Sequence, residues 1–297
     1  MPGEAAGVIE FAPAKINLTL KVGAPAADGF HPVDGLTVFA EDWGDAIEAR
    51  QGEGLSLSVS GPNADALSGA EGNLALKAAY ALRAAAGGGA LGAALTLEKH
   101  LPVEAGLGGG SADAAAALRA LNALWDLGFS AKQLAEIGSV VGSDVPACVH
   151  ARPLRMRGRG ERIDRLIAWP DLPAVILSPG AGLSTPEVFK AYDATAPAPL
   201  KDARTPAAGA FSDAIAHLAQ SANDLEPPAK LLEPLVADAL MALAGSDGAQ
   251  LARMSGSGAA CYALFAEPRA ADAAASALDG AKPGWRARAV TLKGVEA

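Results

Sequence analysis

The most informative segment of the sequence is Pro102-Val-Glu-Ala-Gly-Leu-Gly-Gly-Gly-Ser-Ala-Asp-Ala114. It lies between an alternating, strand-like segment at 93–97 and an alanine-rich segment that continues to about Trp125. Glycines allow tight turns and close approach to a ligand, and a helix N-terminus offers unpaired N–H groups at the positive end of its dipole. The pattern therefore predicts a loop that binds a di- or triphosphate. A plain glycine turn before a helix is the structural alternative.

Two common nucleotide-binding loops are excluded by the residues around this segment. A P-loop requires Lys-Ser/Thr after its last glycine, and no lysine follows Gly110. A dinucleotide fingerprint G-x-G-x-x-G that begins at Gly106 has Ser111 where the third glycine belongs. The segment therefore represents a third kind of phosphate loop.

The rest of the chain mixes strand and helix patterns. Alternating apolar residues predict strands at 8–22, 35–39, 46–50, 55–59 and 93–97, and helix signals follow Asn73, the glycine loop and Ser130. Around 151–162 the composition changes to arginines and glycines, and beyond it strands at 174–177, 261–265 and 286–292 alternate with helices at about 185–193, 212–220, 230–243 and 268–278. We expect two domains, 1–155 and 156–297, the first α/β-like and the second α+β.

Charge and cysteine usage limit the partners. A net charge of −9 over 297 residues argues against a nucleic-acid or anionic-membrane partner, which would require a basic patch. The N-terminus lacks a signal-peptide pattern and the longest uncharged stretch, 84–97, is too short to span a bilayer, so we expect a cytoplasmic protein. Cys148 and Cys261 form no C-x-x-C pair, which predicts two buried thiols, with a catalytic Cys148 as the alternative.

Two further motifs flank the glycine loop. Pro13-Ala-Lys-Ile-Asn-Leu18 (motif one) precedes it, and Ser255-Gly-Ser-Gly-Ala259 (motif three) follows it. Together with the glycine loop as motif two, this ordered set resembles the GHMP kinase superfamily over nearly the whole chain. The resemblance implies a two-domain GHMP kinase fold. Its N-terminal domain is like the second domain of ribosomal protein S5, its C-terminal domain is ferredoxin-like, and the active site lies in the cleft between them.

The resemblance also implies the nucleotide. The second motif of these kinases wraps the phosphates of ATP, and Mg2+ is expected to bridge those phosphates; no protein ligand of the ion is assigned. The residues expected to bind ATP are Pro102, Val103, Glu104, Ala105, Gly106, Leu107, Gly108, Gly109, Gly110, Ser111 and Ala112. Relatives often have glycine where Glu104 and Ala105 stand, so the side chain of Glu104 must point away from ATP.

Lys15 and Asp144 are the candidate catalytic pair. A kinase needs a group that orients and deprotonates the attacking hydroxyl, with positive charge near the transferred phosphoryl group. A lysine beside an aspartate suits this task, because the cation keeps the carboxylate ionised. Either residue alone would read as a surface charge, but both stand among apolar neighbours and at the family's motif positions.

Further segments point to the alcohol substrate. Ala27-Asp-Gly-Phe-His31 and Gly142-Ser-Asp-Val-Pro146 resemble the diphosphocytidyl-methylerythritol kinases of this superfamily. This implies a small-molecule cytidyl diphosphate substrate. The residues expected to bind it are Asn17, Phe30, His31, Thr185 and Phe189.

The aromatic residues among these suit a pyrimidine. Phe30 and Phe189 would stack on the base and His31 would bond to its edge. The alternative for both phenylalanines is a place in the core. Kinases of the same superfamily that act on mevalonate, homoserine or a sugar, and a non-catalytic nucleotide-binding protein, are the alternative functions.

Two remaining features carry weaker expectations. The motif three residues Gly256, Ser257 and Gly258 are expected to pack the two domains and to border the phosphates. The arginines between 152 and 162 are expected to form a solvated, partly salt-bridged face. A monomer or a weak homodimer is expected.

Overall fold

The computed structural model describes residues 7–67, 72–103, 105–200 and 204–296, and the chain divides into two compact units. The first unit comprises residues 1–14, 43–103 and 108–151, and the second comprises 15–42, 104–107 and 152–297. The chain therefore passes between the units several times, for the last time between residues 151 and 152. The domain division at residue 155 stays a prediction.

The first unit combines a small sheet with helices. Strand β5 (Ala93–Glu98) pairs antiparallel with the second half of β3 (Val33–Gln51) and parallel with β4 (Leu55–Ser60). Residues of β5 are alternately buried and exposed, as its sequence predicts. The helices of this unit are α1 (Leu74–Ala85), α2 (Gly109–Leu124), α3 (Ala131–Ser139) and α4 (Val145–His150), with a short 3-10 turn at Ala64–Ala66.

Local capping explains where these helices begin. The Asn73 side chain accepts a hydrogen bond from Ala75 N at the start of α1. Ser130 and Gln133 form the predicted capping box at the start of α3. The N-cap of α2 is Gly108 in the left-handed conformation (φ +63°), which allows the glycine loop to turn directly into the helix. Helix α2 packs against α1 and α4 through its alanines.

The second unit contains two groups of strands. One group pairs the first half of β3 with β2 (Lys21–Val22) and with β6 (Leu154–Gly158), which also pairs with β7 (Arg162–Arg165). The other is antiparallel, with the order β11 (Arg286–Leu292), β8 (Leu172–Ser178), β10 (Cys261–Phe265) and β9 (Ala249–Met254). All five residues of β10 are buried, so this strand forms the centre of a core. The helices of this unit are α5 (Thr185–Asp193), α6 (Phe211–Ala219), α7 (Glu226–Leu232), α8 (Pro234–Ala244) and α9 (Pro268–Leu278).

Two expected elements differ from the structure. The short strands predicted at 35–39 and 46–50 are one strand, β3. Gly44 suggests a turn in the sequence, but a Cβ there would lie 2.3 Å from Ala12 O, so the glycine serves close contact with β1 (Val8–Asn17).

The second difference lies at 230–243, where the sequence predicted one helix. The chain forms the two helices α7 and α8, because Pro234 lacks an N–H group and Glu233 accepts a hydrogen bond from Leu235 N as a new N-cap. Among the helices of the described residues, none is long and apolar enough to cross a membrane.

Candidate active site

Motif one places two polar side chains at the buried end of β1. Lys15 and Asn17 lie two positions apart on a strand and share a face, and Lys15 Nζ donates a hydrogen bond to Asn17 Oδ1 at 3.0 Å. Asn17 Nδ2 donates to Thr37 Oγ1 at 3.2 Å, which fixes the orientation of the amide. Both side chains are buried. The contact between Lys15 and Asn17 is the one that their spacing predicts.

Ser255, the first residue of motif three, joins all three motifs within the second unit. Its Oγ accepts a hydrogen bond from Asn17 N and donates one to Gly106 O, both at 3.1 Å. Lys15 N donates to Leu107 O at 2.8 Å, so motif one also contacts this part of the glycine loop directly. Ser255 is completely buried. The sequence analysis did not place it among the site residues.

Close packing explains two glycines of this region. Gly106 has a φ of +76°, and a Cβ there would lie 2.5 Å from Gly258 O. Gly258 has a φ of +91° and packs against the side chain of Met254. Ala105 O accepts a hydrogen bond from Ala260 N, which fastens the loop to the chain after motif three. Gly106 of motif two and Gly258 of motif three are therefore required by close packing within the protein itself.

A buried asparagine also holds motif three. Asn223 Nδ2 donates hydrogen bonds to Met254 O at 2.9 Å and to Gly256 O at 2.7 Å. On the other side of the motif, the hydroxyl groups of Thr185 and Ser257 lie 2.8 Å apart. The structure thus brings two predicted site residues, Thr185 and Ser257, into contact. The link from Asn223 to motif three has no local sequence signal, because Met254 and Gly256 lie more than 30 positions away.

The remainder of the glycine loop belongs to the first unit and starts α2. Gly109, Gly110, Ser111 and Ala112 form the first turn, and no side chain caps it. The first N–H groups of a helix have no partner within the helix, so this turn offers donors to an anion. Of the other predicted residues, Pro102 and Val103 precede the turn, whereas Glu104 lies outside the described residues.

A buried cluster of three charged side chains, which we call the ion cluster, supports this turn. Lys99 Nζ donates hydrogen bonds to Asp45 Oδ2 at 2.5 Å and to Asp113 Oδ2 at 2.8 Å. Asp45 Oδ1 also accepts hydrogen bonds from His100 N and Leu101 N. A Cβ at Gly109 would lie 3.0 Å from Lys99 Nζ, so the ammonium group sits directly against the first turn of α2.

Burial is the largest single influence on the pKa values of Asp113 and Lys99 in the ion cluster. It raises the pKa of Asp113 to about 8, with the charge of Lys99 opposing the shift and Asp45 adding to it. Burial lowers the pKa of Lys99, but the two carboxylates outweigh that effect and leave it above its ordinary value. Asp113 Oδ1 is buried without a hydrogen-bond partner among the described residues. If Asp113 is neutral, the ion cluster holds one cation and one anion. Burying these two charges costs less desolvation free energy than burying three.

Asp144, the predicted base, stands at the N-cap position of α4 in the first unit and is partly exposed. The turn before it approaches α2, because a Cβ at Gly142 would lie 3.9 Å from Ser111 Oγ. Lys15 belongs to the second unit. Pairing of Lys15 with Asp144 therefore stays a prediction.

The predicted base-binding residues form two separate contacts in the second unit. Phe30 is 55% exposed, and the Arg159 guanidinium lies 4.3 Å from its ring centroid and pairs with the carboxylate of Asp28. His31 instead packs on Phe189, with ring centroids 5.0 Å apart. Arg159 thus covers one face of the Phe30 ring, while more than half of the residue stays exposed.

Two family models match the chain, one over the glycine loop and one over motif three. A model of the GHMP kinases N-terminal domain matches residues 73–152, and a model of the GHMP kinases C-terminal region matches residues 200–283. The chain belongs to the GHMP kinase family. The predicted two-domain GHMP kinase fold is confirmed.

Relatives within the GHMP kinases have similar sequences over almost the full chain. A 4-diphosphocytidyl-2-C-methyl-D-erythritol kinase from Cereibacter sphaeroides is 48% identical over 93% of this chain and 95% of its own length. A kinase of the same name from Parvibaculum lavamentivorans is also 48% identical, over 94% and 96%. A crystal structure of 4-(cytidine 5'-diphospho)-2C-methyl-D-erythritol kinase has a TM-score of 0.76 at 33% identity, covering 96% of this chain and 99% of that chain.

The arginines between 152 and 162 form only in part the solvated, partly salt-bridged face that the sequence predicts. Arg155 is buried and pairs with the carboxylate of Asp34. Arg157 pairs with Asp164 at 2.7 Å, and Arg159 covers Phe30. The prediction of a solvated face was therefore wrong for Arg155, because its partner lies 121 positions earlier in the chain.

Both cysteines are free thiols, and the described residues hold no cluster of metal-binding side chains. Cys148 and Cys261 are both buried and form no disulfide, as predicted, and burial raises the pKa of the Cys261 thiol well above its ordinary value. Within the parts of the chain that the structure covers, no group of three or more His, Cys, Asp or Glu side chains could hold a metal ion.

Proposed function

We propose that this chain transfers the γ-phosphoryl group of ATP to the 2-hydroxyl of 4-diphosphocytidyl-2-C-methyl-D-erythritol, which yields ADP and the 2-phosphate. The chain is an ATP-dependent kinase of the GHMP family, and relatives that carry the name of this kinase match more than nine-tenths of its length. The observation that carries the proposal is the hydrogen-bonded set of Lys15, Asn17, Ser255 and Gly106, which unites the three kinase motifs.

The glycine loop supplies the phosphate-binding part of the proposal. N–H groups of the first turn of α2 donate to phosphate oxygens, and the helix dipole favours the negative charge. The loop is pre-shaped by glycine backbone packing at Gly106 and by the ion cluster against Gly109. A rigid cradle of this kind loses little conformational entropy when the nucleotide binds.

The chemical step follows from the two charged motif residues. The substrate hydroxyl attacks the γ-phosphorus and gives its proton to the Asp144 carboxylate, while the bond between that phosphorus and the β–γ bridging oxygen breaks and ADP leaves. Lys15 stabilises the negative charge that develops in the transition state. Asn17 accepts a hydrogen bond from Lys15 and so holds the ammonium group in one orientation.

Mg2+ fits this proposal as an ion carried by the nucleotide. Magnesium in kinases is bound mainly through substrate phosphates and water, with only one or two protein oxygens. The described residues contain no preformed cluster of metal-binding side chains, which agrees with such a donor set. When bound, the ion would neutralise charge on the phosphates during transfer.

The cytidyl group would bind where the aromatic residues of the second unit lie. The exposed face of Phe30 suits a flat base, and stacking of this kind contributes about 1–3 kcal/mol per base. His31 and Phe189 lie in contact with each other, and His31 has a polar edge for hydrogen bonding. The cytoplasmic location and the monomeric or weakly dimeric state stay predictions.

The test is ADP release against a panel of alcohols: the cytidyl substrate, mevalonate, homoserine and galactose. We expect strong activity with the cytidyl substrate alone, and greater activity with another alcohol would reject the proposed substrate.

The Asp144→Asn variant tests the chemical step with the same substrate. Loss of a positioned proton acceptor should lower turnover by about 10²- to 10⁴-fold. Near-normal turnover of that variant, with unchanged ATP affinity, would reject Asp144 as the base.

A further inference from the structure

His31 has a second partner that sequence reasoning did not find. Helix α5 presents Phe189 and Asp193 one turn apart, and both contact His31. The distance from His31 Nε2 to Asp193 Oδ1 is 2.6 Å. Tyr192 fixes this end of the helix, because its hydroxyl donates a hydrogen bond to Val22 O at 2.6 Å. The imidazole is therefore held by a ring on one side and a carboxylate on its edge.

The carboxylate decides which ring nitrogen carries the proton. A neutral imidazole has one N–H donor and one acceptor nitrogen, whereas an ionised carboxylate can only accept. The contact with Asp193 therefore requires the proton on Nε2, which leaves Nδ1 as an acceptor. No hydrogen bond of Nδ1 is found within the described part of the chain, so its lone pair is not used by those residues, and 9% of the His31 side chain stays exposed.

We propose that Asp193 is a positioning residue that holds His31 as a hydrogen-bond acceptor and thereby selects cytosine over uracil. The inference rests on the proposed function, since it concerns the base of the cytidyl substrate. Cytosine carries an amino donor at position 4 of the ring, where uracil carries a carbonyl acceptor. Nδ1 accepts from the amino group of cytosine, whereas with uracil two acceptors would face each other.

The size of the selection follows from a single hydrogen bond. A mismatch that leaves a polar group unpaired costs more than the net gain of the bond, and the two effects together give about a 10- to 100-fold preference. The contribution of Asp193 to stability is expected to be small, because its side chain is 42% exposed. An effect on base preference without an effect on stability is therefore the signature of the proposed role.

The variant that tests the role is Asp193→Asn. An amide can donate as well as accept, so His31 could then carry its proton on Nδ1 and bind uracil. We expect kcat/KM with the cytidyl substrate to fall and that with the uridyl analogue to rise, so that their ratio drops about tenfold. Glu187→Gln is the matched control, because it removes the same charge from an exposed position of the same helix.

Binding measurements separate this inference from the proposed function. Calorimetry with CDP and UDP should show a preference for CDP in the unaltered protein and in Glu187→Gln, and a reduced preference in Asp193→Asn. Nitrogen NMR of the His31 ring should show the Nε2–H form in the unaltered protein and a shift toward the other form in Asp193→Asn. CDP binding with an unchanged ratio in Asp193→Asn would overturn the inference alone. Absence of binding by either nucleotide would overturn the cytidyl site and the inference with it.

Discussion

The glycine loop and the loop at 26–31 both depend on charged side chains, but these side chains lie in different surroundings. Against the glycine loop, Lys99, Asp45 and Asp113 are almost completely buried. At the other loop, Asp28 pairs beside Phe30 with Arg159, which lies in the turn between β6 and β7, and both side chains are about half exposed. The same kind of contact is thus used in a dry interior and in water.

This difference predicts different consequences of mutation. Removing one partner of a buried ion pair leaves an uncompensated charge and costs about 3–5 kcal/mol. An exposed pair contributes about 0–1 kcal/mol, because water replaces the lost partner. We therefore expect mutations at the glycine loop to lower the free energy of unfolding, whereas mutations at the loop at 26–31 should leave the fold intact.

The largest effect is expected for Lys99→Met, which leaves Asp45 and Asp113 buried without their cation. The free energy of unfolding should fall by about 3–5 kcal/mol in urea denaturation. Lys293→Met is the matched control, because Lys293 forms exposed pairs with Glu41 and Asp171 and its loss should lower the free energy of unfolding far less. Equal losses in the two variants would remove the distinction between buried and exposed charges.

A glycine variant in each loop compares how tightly the two backbones are packed. Gly106 and Gly29 both have left-handed φ values, +76° and +81°, but only Gly106 has atoms against its Cβ position. Gly29→Ala should cost about 1–2 kcal/mol of conformational strain, and Gly106→Ala about 2–4 kcal/mol, since the added methyl displaces Gly258. Thermal unfolding of both variants measures the difference, and a milder Gly106→Ala would contradict the tight packing of this loop.

The pH dependence of stability provides a third test. The folded-state pKa of Asp113, about 8, lies above its ordinary value of 3.8, so the folded protein keeps a proton that the unfolded chain releases between these values. The stabilisation from this group is full below about pH 4 and is lost as the pH rises toward 8, by at most about 1.4 kcal/mol per pH unit.

Asp113→Asn removes this titration and should therefore show a weaker decline. Urea denaturation at about pH 6 and about pH 8 gives the change in the free energy of unfolding with pH for the variant and for the unaltered protein. Parallel slopes for the variant and the unaltered protein would show that Asp113 stays ionised in the folded state.

The smallest effect is expected for Arg159→Leu, in the β6–β7 turn that contacts the exposed loop at 26–31. Loss of the contact with Phe30 should change stability by about 1 kcal/mol or less and raise KM for the cytidyl substrate about two- to fivefold. Arg162→Leu is the control, because Arg162 lies in the same hairpin and its guanidinium is 3.7 Å from a carboxylate oxygen of the neighbouring Glu161. A large loss of stability in Arg159→Leu would place this loop with the buried cluster.

Sequence reasoning succeeded where the signal is local. The glycine loop, the capping box of α3 and the strand after motif three depend on neighbours within a few positions, and each lies where it was predicted. The contact of Lys15 with Asn17 followed from the alternation of a strand. The family models match 73–152 and 200–283, which include the glycine loop and motif three but not motif one.

The partners of charged residues were not predictable from the sequence. Lys99 and Asp45 are 54 positions apart, and His31 and Asp193 are 162 positions apart, so no local pattern joins them. Lys99 by itself would read as an ordinary surface charge at the end of a strand. The break between α7 and α8 did have a local signal, Pro234, which a longer helical pattern obscured.

The hydroxyl of Ser255 has a consequence for the order of events during synthesis. It bonds to Asn17, which leaves the ribosome 238 residues earlier. At about 5–20 residues per second, the first motif waits about 12–48 s for this partner. A nascent chain that stops before residue 255 thus carries the lysine and the glycine loop, but not the side chain that ties them together.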